Sequence, residues 1–206
     1  ARFQRRQGLG VKHAHGDESV FAANNRCAEI KALTDYTLFD ALLAGCEAVT
    51  TEILVGAHLD GKPLPEIFDE MICPPMRVIG QKWFAGEITV AQEHLATRTV
   101  CNAVYKLRSC LPVPEPAGKL AICCALETEL HELPTHLAQI TIENEGWEVL
   151  NFGANTPLYC LAEEILQYEP QAVCISATII GDLERFSRDF RDFEEQTEKL
   201  GEATVL

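Results

Sequence analysis

The stretch Leu111-Pro-Val-Pro-Glu-Pro-Ala-Gly118 divides the chain into two halves with different hydrophobic periods. Three prolines in five residues exclude a helix interior and the centre of a sheet. Upstream, apolar residues recur at about the 3.6-residue period of a helix, whereas downstream they form short runs rich in Val, Ile and Cys. We therefore predict an interdomain linker at residues 111–118.

Upstream of the linker, residues 18–110 are predicted to form a four-helix bundle behind a basic tail or linker at residues 1–17. The first helix is a weaker segment over residues 18–33. The second follows Asp35 as its N-cap and ends before Gly61. Its apolar residues at helical spacing are Leu38, Leu42, Val49 and Ile53.

The third and fourth helices carry stronger signals. The third starts at Leu64 and continues to Trp83, and Pro74-Pro75 must break or kink it. The fourth opens with Thr89-Val-Ala-Gln92, which has the spacing of a capping box, and extends to about Cys110. Its expected buried residues are Leu95, Ala103, Val104 and Leu107.

Downstream, residues 119–206 alternate short apolar runs with amphipathic helices. The runs at 120–125, 148–152 and 172–177 predict strands. The expected buried helix faces are Leu133, Leu137 and Ile140, then Leu158, Leu161 and Ile165, then Leu183, Phe186, Phe190 and Phe193. This alternation predicts a Rossmann-like (flavodoxin-like) doubly wound parallel sheet, so the fold class is α/β. Thr204-Val205-Leu206 resembles a fourth strand, and we expect the C-terminal part of the fold to be cut short.

Composition narrows the class of protein. A hydrophobic fraction of 47% is ordinary for a globular core, and no apolar run approaches the ~18 residues of a membrane span. The formal net charge is −14, and residues 119–206 carry 5 basic and 17 acidic side chains. So acidic a half disfavours direct nucleic-acid binding. The nine cysteines are odd in number and mostly apolar in context, which predicts reduced thiols and a cytoplasmic location.

Candidate functional residues follow the predicted strands, because ligands of open parallel sheets bind at the strands' carboxyl ends. Glu129 precedes His131 by two positions after the first strand, and a carboxylate can fix the tautomer of an imidazole and leave its other nitrogen free for a metal. The alternative is a histidine in a solvated acidic loop. Neighbouring histidines or cysteines at ligand spacing are missing, which argues against zinc and for a metal held mostly by a macrocycle.

Three further features are ambiguous by themselves. Ser176 and Thr178 follow the third strand, where their hydroxyls suit either ligand binding or helix capping. Trp83 is interpreted as a core aromatic or as part of a site. Glu93 and His94, in the first turns of the fourth helix, are interpreted as a surface pair or as the rim of the same pocket.

The order of these motifs resembles the cobalamin-binding module of light-sensing regulators of the CarH and LitR type. The resemblance covers about residues 38–206. It consists of a tryptophan, nine residues and Glu-His on a helical bundle, followed by a linker, an acid-x-His motif, the Gly153-Ala-Asn-Thr-Pro157 turn and a Ser-Ala-Thr edge. The conjunction is more specific than any single motif.

The resemblance implies a role for each matching residue. His131 would be the lower axial ligand of cobalt, with Glu129 as its hydrogen-bonded partner. Ser176 and Thr178 would line the pocket for the displaced nucleotide tail. Trp83 would cover the upper face beside the adenosyl group, and Glu93 and His94 would bound that cavity. Leu133 completes the expected set of cofactor contacts.

Two residues depart from the family pattern. Pro134 replaces a glycine three positions after the histidine, which changes how closely the backbone approaches the corrin. Phe84 replaces the histidine that ligates cobalt in family members after light removes the adenosyl group. Capture by a second histidine at this position is therefore impossible, and His94 or water are the alternatives. The same departure opens the alternative of a relative that also carries a bilin.

The sequence thus predicts a cobalamin-binding photoreceptor module that senses light through photolysis of adenosylcobalamin. We expect the chain to form a homo-oligomer. Its output would be a change in oligomeric state or in partner binding, and we expect that output to act in transcriptional regulation. The alternatives are a corrinoid methyl carrier of a methyltransferase system and a cobalamin-dependent antirepressor. No catalytic constellation and no membrane association are expected.

Overall fold

A computed structural model of the chain describes residues 37–198 and 204–205. The predicted helix over residues 18–33, the basic tail and the proposed cap Asp35 lie outside the described residues.

The first described helices are α1 (Leu38–Leu43) and α2 (Glu47–Leu59). The prediction of a single helix here is wrong, because Gly45 adopts a left-handed φ of 69° between them. An added Cβ at Gly45 would lie 3.0 Å from the Leu95 side chain, so a residue larger than glycine would also be crowded at this position. The helical spacing continues across the break, which is why the sequence pattern did not reveal it. Thr37 caps α1 through a capping box with Asp40.

The next helical stretch contains α3 (Leu64–Glu66), a π-helical segment (Ile67–Ile72) and α4 (Cys73–Phe84). The two prolines lie in the first turn of α4. Cys73 N–H bonds the carbonyl of Phe68, five residues back, so the backbone shifts register just before the prolines, which have no N–H to donate. The predicted irregularity is thus a π segment that keeps the chain helical.

Helix α5 (Val90–Cys110) begins with the predicted capping box of Thr89 and Gln92. Its buried residues are Ala96, Thr99, Val100, Ala103, Val104 and Leu107. The expected burial of Leu95 is wrong, since this side chain is exposed and covers Gly45.

The second half is a parallel sheet in the order β2-β1-β3-β4, as the strand pattern predicted. The strands are β1 (Leu120–Leu126), β2 (Glu148–Thr156), β3 (Ala172–Ser176) and β4 (Thr204–Val205), and the helices are α6 (Leu133–Glu143), α7 (Leu158–Tyr168) and α8 (Leu183–Thr197). Helices α7 and α8 share a core with the sheet that includes Ile122, Leu161 and Phe193. Leu183 is exposed, so its predicted burial is wrong.

Helix α6 joins the two halves. Ile140 is part of the helical half's core, and Leu133 and Leu137 pack against that core. Two polar contacts follow the same seam. The Tyr105 hydroxyl lies 3.0 Å from Nε2 of His136, and Arg108 donates to Glu143 over 2.6 Å. The helix that begins just after His131 is therefore attached to the bundle.

The cysteines depart from the prediction at one position. Cys46 is disulfide-bonded, so the expectation of reduced thiols is wrong there. The other seven cysteines between residues 37 and 198 are free, and Cys123 and Cys124 are fully buried in β1. Among the described helices, none is long and apolar enough to cross a membrane.

Candidate functional site at the carboxyl edge of the sheet

Glu129 is the centre of the candidate site. Its Oε1 accepts hydrogen bonds from the backbone N–H of His131 (2.9 Å) and from the Nδ1 of the same residue. Its Oε2 accepts the backbone N–H of Thr178 over 2.7 Å. The carboxylate therefore ties the loop after β1 to the loop after β3, and the structure brings together three of the residues predicted from the sequence.

The charge on Glu129 is stabilised by these bonds. Its side chain is only 4% exposed. Burial raises the pKa of the Glu129 carboxyl, but hydrogen bonds from His131 and Thr178 outweigh burial and lower that pKa to about 2. The group is therefore a carboxylate at neutral pH and can accept a hydrogen bond from Nδ1 of His131.

His131 presents its other ring nitrogen outward. The side chain is 53% exposed while Nδ1 is held by Glu129. With the Nδ1 proton directed at the carboxylate, Nε2 carries the lone pair that a metal needs. Such an imidazole fits the axial position of a metal whose other ligands come from a macrocycle. Within residues 37–198, no group of three or more His, Cys, Asp or Glu side chains could hold a metal ion by itself.

The predicted residues Thr178, Ser176 and Leu133 have different roles in the structure. Thr178 meets Glu129 through its backbone N–H, and Ser176 is the last residue of β3. Leu133, the first residue of α6, packs against the helical half's core. Pro134 occupies the first turn of α6, where a missing N–H costs no helical hydrogen bond.

A cleft of about 480 Å³ opens beside this edge of the sheet. Its lining comes from the ends of β1 and α7, the loop after β3 and one side of α8, and includes Leu126, Tyr159, Ile179, Ile180, Arg185 and Phe186. Ser176 and Thr178 are not among the lining residues. Sequence reasoning stopped at Thr178, although the strand-end rule extends equally to Ile179 and Ile180 just beyond it.

The residues predicted above the cofactor lie on the helical half. Trp83 is near the end of α4 and is 46% exposed, and the neighbouring Phe84 is 89% exposed. Glu93 accepts a hydrogen bond from Thr97 over 2.8 Å. His94 is largely exposed, and its Nε2 lies 3.7 Å from Oε2 of Glu93. Trp83, Phe84 and His94 are thus about half exposed or more, whereas the Glu93 side chain is 17% exposed and is held by Thr97.

Asn155, near the end of β2, was missed by the sequence reasoning. Its Oδ1 accepts the N–H of Thr128 and its own N–H donates to the carbonyl of Glu129, both over 2.9 Å. Thr128 and Asn155 both have left-handed φ angles, of 72° and 58°. The Gly153-Ala-Asn-Thr-Pro157 turn was noted, and Asn is the non-glycine residue that accepts this conformation best, but the spacing did not reveal its partner.

Comparison with known proteins finds similarity to cobalamin-binding proteins. Residues 36–108 match the family model described as B12 binding domain. The chain is 28% identical over 141 residues to the HTH-type transcriptional repressor CarH of Myxococcus xanthus, covering 68% of this chain and 44% of that protein. It is 26% identical over 136 residues to monomethylamine corrinoid protein 2 of Methanosarcina acetivorans, covering 65% and 61%. The chain thus spans less than two thirds of the length of each of these relatives.

The fold has a counterpart among solved structures. The monomethylamine corrinoid protein of Methanosarcina barkeri superposes with a TM-score of 0.66 at 22% identity, covering 82% of this chain and 79% of that one. The predicted resemblance to cobalamin-binding modules and the predicted fold class are therefore both confirmed. The chain contains a cobalamin-binding domain related both to the CarH repressor and to methanogen corrinoid proteins.

Proposed function

We propose that this cobalamin-binding chain is a light-sensing module that would hold adenosylcobalamin between its helical half and its sheet half, with His131 as the residue that would bind cobalt. The observation that carries the proposal is the buried Glu129 carboxylate bound to Nδ1 of a half-exposed imidazole. When bound, adenosylcobalamin supplies a cobalt–carbon bond that light can break. Every other step depends on side chains of this chain.

The lower side needs little rearrangement to receive the cofactor. Glu129 fixes one nitrogen of His131 and leaves the other available, and the carboxylate is itself fixed by Thr178. Such hydrogen-bonded support raises the basicity of the ligand and limits its rotation. The cleft of about 480 Å³ at the same edge of the sheet, whose lining combines apolar side chains with charged ones such as Asp182, Arg185 and Asp189, is where the displaced nucleotide tail would lie.

The upper side is proposed to sense the adenosyl group. Trp83 offers a half-exposed aromatic surface, while Glu93 and His94 offer polar groups at the beginning of α5. An adenine ring can stack on the indole and bond the polar pair. One arrangement of Trp83, Glu93 and His94 would bind adenosylcobalamin more tightly than another, and this preference would depend on contacts to the adenosyl group.

Helix α5 connects the upper residues to the seam between the halves. Glu93 and His94 lie in its first two turns, whereas Tyr105 and Arg108 lie near its other end, where they contact α6. A helix of 21 residues is about 30 Å long, so a small tilt at one end displaces the other. We propose that this movement changes the oligomeric state or the binding of a regulatory partner.

The test is the absorption spectrum of the purified chain loaded with adenosylcobalamin in darkness and recorded again after green illumination. We expect a base-off, histidine-on spectrum that changes on illumination, with a shift in elution volume on size exclusion. His131→Ala should lose the histidine-on features. His136→Gln is the matched control, since that histidine contacts Tyr105 in the seam and should leave the spectrum unchanged.

The possible outcomes separate the parts of the proposal. An unchanged spectrum in His131→Ala would show that the ligand assignment is wrong. A normal histidine-on spectrum with no change of elution volume or partner binding on illumination would reject light sensing while leaving cobalamin binding intact.

A corrinoid methyl carrier is the second candidate. It is favoured by the similarity to monomethylamine corrinoid proteins, which extends over both halves of the chain. A methyl group is small and gives Trp83, Glu93 and His94 less to contact. Preference for methylcobalamin, with methyl transfer to a methyltransferase partner, would support the carrier. Binding to a repressor that is indifferent to illumination would instead support a cobalamin-dependent antirepressor.

A further inference from the structure

Asn155 holds the backbone on both sides of Glu129. Its side-chain oxygen accepts the N–H of Thr128, and its backbone N–H donates to the carbonyl of Glu129 itself. A third bond, from the N–H of Glu129 to the carbonyl of Leu126, closes the turn. One residue near the end of β2 thus holds the peptide units 127–128 and 129–130, one before and one after Glu129.

The backbone at this contact is strained. Thr128 has a φ of 72°, which is unfavourable for a β-branched residue, and Asn155 has a φ of 58°. Left-handed conformations of such residues persist only where surrounding contacts impose them. Here the two left-handed residues bond each other directly, so the unfavourable φ of Thr128 is held by its hydrogen bond to Asn155.

The consequences extend to the imidazole. Glu129 accepts bonds from the N–H and Nδ1 of His131, so the direction of its carboxylate sets the orientation of the ring. Thr178 binds the other carboxylate oxygen and prevents the carboxylate from turning. The loops after β1 and β3 and the last residues of β2 therefore meet at this point.

We propose that Asn155 is a positioning residue that aims the His131 imidazole through Glu129. This inference rests on the proposed role of His131 as a cobalt ligand. Asn155 acts through the backbone of residues 128–129 and needs no contact with the cofactor. The strained turn keeps Nε2 directed outward before any cofactor arrives.

Three substitutions separate the side chain of Asn155 from its backbone. Asn155→Gly keeps the left-handed φ without strain but removes the acceptor of the Thr128 N–H. Asn155→Asp keeps an acceptor and tolerates the same φ. Glu169→Gly is the matched control, because Glu169 also has a left-handed φ, of 49°, at the end of α7 and away from the site.

Two readouts are measured for each variant. In the cofactor-free protein, amide hydrogen exchange reports the protection of the N–H groups of Thr128 and His131. In protein titrated with hydroxocobalamin, absorption gives the affinity, and electron paramagnetic resonance of the reduced Co(II) form reports coupling to an axial nitrogen.

For Asn155→Gly we expect faster exchange at both amides, a 10- to 100-fold loss of affinity and a weakened axial-nitrogen signal. Asn155→Asp should stay within about threefold of the parent, and Glu169→Gly should match it. If Asn155→Gly keeps parental affinity and an intact nitrogen signal, the positioning role is rejected. If the parent protein itself lacks an axial-nitrogen signal, the proposed function fails together with this inference.

Discussion

Glu129 and Trp83 lie on the two sides of the proposed cofactor site, and the chain holds them in different ways. Glu129 is buried and bonded to the loops after β1 and β3, and Asn155 fixes its backbone. Trp83 is nearly half exposed at the end of a helix. A group held by several hydrogen bonds keeps its position with or without a ligand, whereas an exposed side chain becomes ordered when a ligand contacts it.

This difference assigns different tasks to the two sides. In the proposed function, the lower side around His131 is fixed in advance and would supply affinity for the corrin. The upper side around Trp83 would gain contacts from the ligand, so in the proposed function its arrangement would depend on whether the adenosyl group is present. A sensor needs this asymmetry, because a ligand shifts an equilibrium only as far as it contacts the two states differently.

The largest expected effect is on the lower side. Glu129→Gln replaces a buried acceptor of three hydrogen bonds by an amide whose NH2 must face a backbone N–H. We expect the free energy of unfolding of the cofactor-free protein to fall by about 2–4 kcal/mol, measured by urea denaturation. Glu127→Gln is the control. Its carboxylate pairs with Arg185 at the surface and should contribute less than about 1 kcal/mol.

Equal stability losses for the two variants would contradict the idea of a prepared lower site. Loss of cobalamin affinity in Glu129→Gln without any loss of stability would show that the carboxylate acts only on the bound ligand.

A smaller effect is expected on the upper side. Trp83→Ala should lower the affinity for adenosylcobalamin about tenfold but leave the affinity for hydroxocobalamin nearly unchanged, because only the former has an adenine to stack on the indole. Phe84→Ala is the matched control, since this neighbouring aromatic is 89% exposed. Equilibrium titration in darkness measures both ligands.

If Trp83→Ala weakens both cobalamins equally, the indole supports the corrin or the fold and does not discriminate the upper ligand. If Phe84→Ala has the stronger effect, the exposed phenyl ring is the one that meets the adenosyl group.

The sequence predicted the parts of this asymmetry that are encoded locally. The apolar runs located β1, β2 and β3, and the two-residue spacing of Glu129 and His131 predicted their hydrogen bond. Both depend on neighbours in the chain. The capping box of Thr89 was equally readable, since its partner is three residues away.

The parts that were missed depend on contacts between distant residues or on backbone conformation. Asn155 binds Thr128 across 27 residues, and nothing in the β2 pattern indicates a left-handed φ. The break at Gly45 was hidden because the apolar spacing continues on both sides of it. Leu95 is spaced along its helix like the buried residues, which is why it was expected in the core. It lies over Gly45 instead, where there is room because glycine has no side chain.

The smallest expected effect concerns the connection between the two sides. Tyr105→Phe keeps the edge-to-face packing of the ring on His136, at 5.1 Å between centroids, and removes the hydroxyl contact of 3.0 Å. We expect the free energy of unfolding to fall by about 0.5–1.5 kcal/mol. Tyr168→Phe is the control, because Tyr168 is equally exposed, at 42% against 43%, and lies at the end of α7.

The two tryptophans test whether the seam couples the halves, since Trp83 reports the helical half and Trp147, which contacts Lys119, reports the sheet half. Fluorescence of each is followed in a variant whose other tryptophan is Phe. With the seam intact the two urea transitions should coincide, and in Tyr105→Phe they should move apart. Transitions that stay together would mean that the apolar packing of α6 on the bundle is enough to couple the two halves. The proposed coupling between Trp83 and His131 would then depend on Leu137 and Ile140 and not on the Tyr105 hydroxyl.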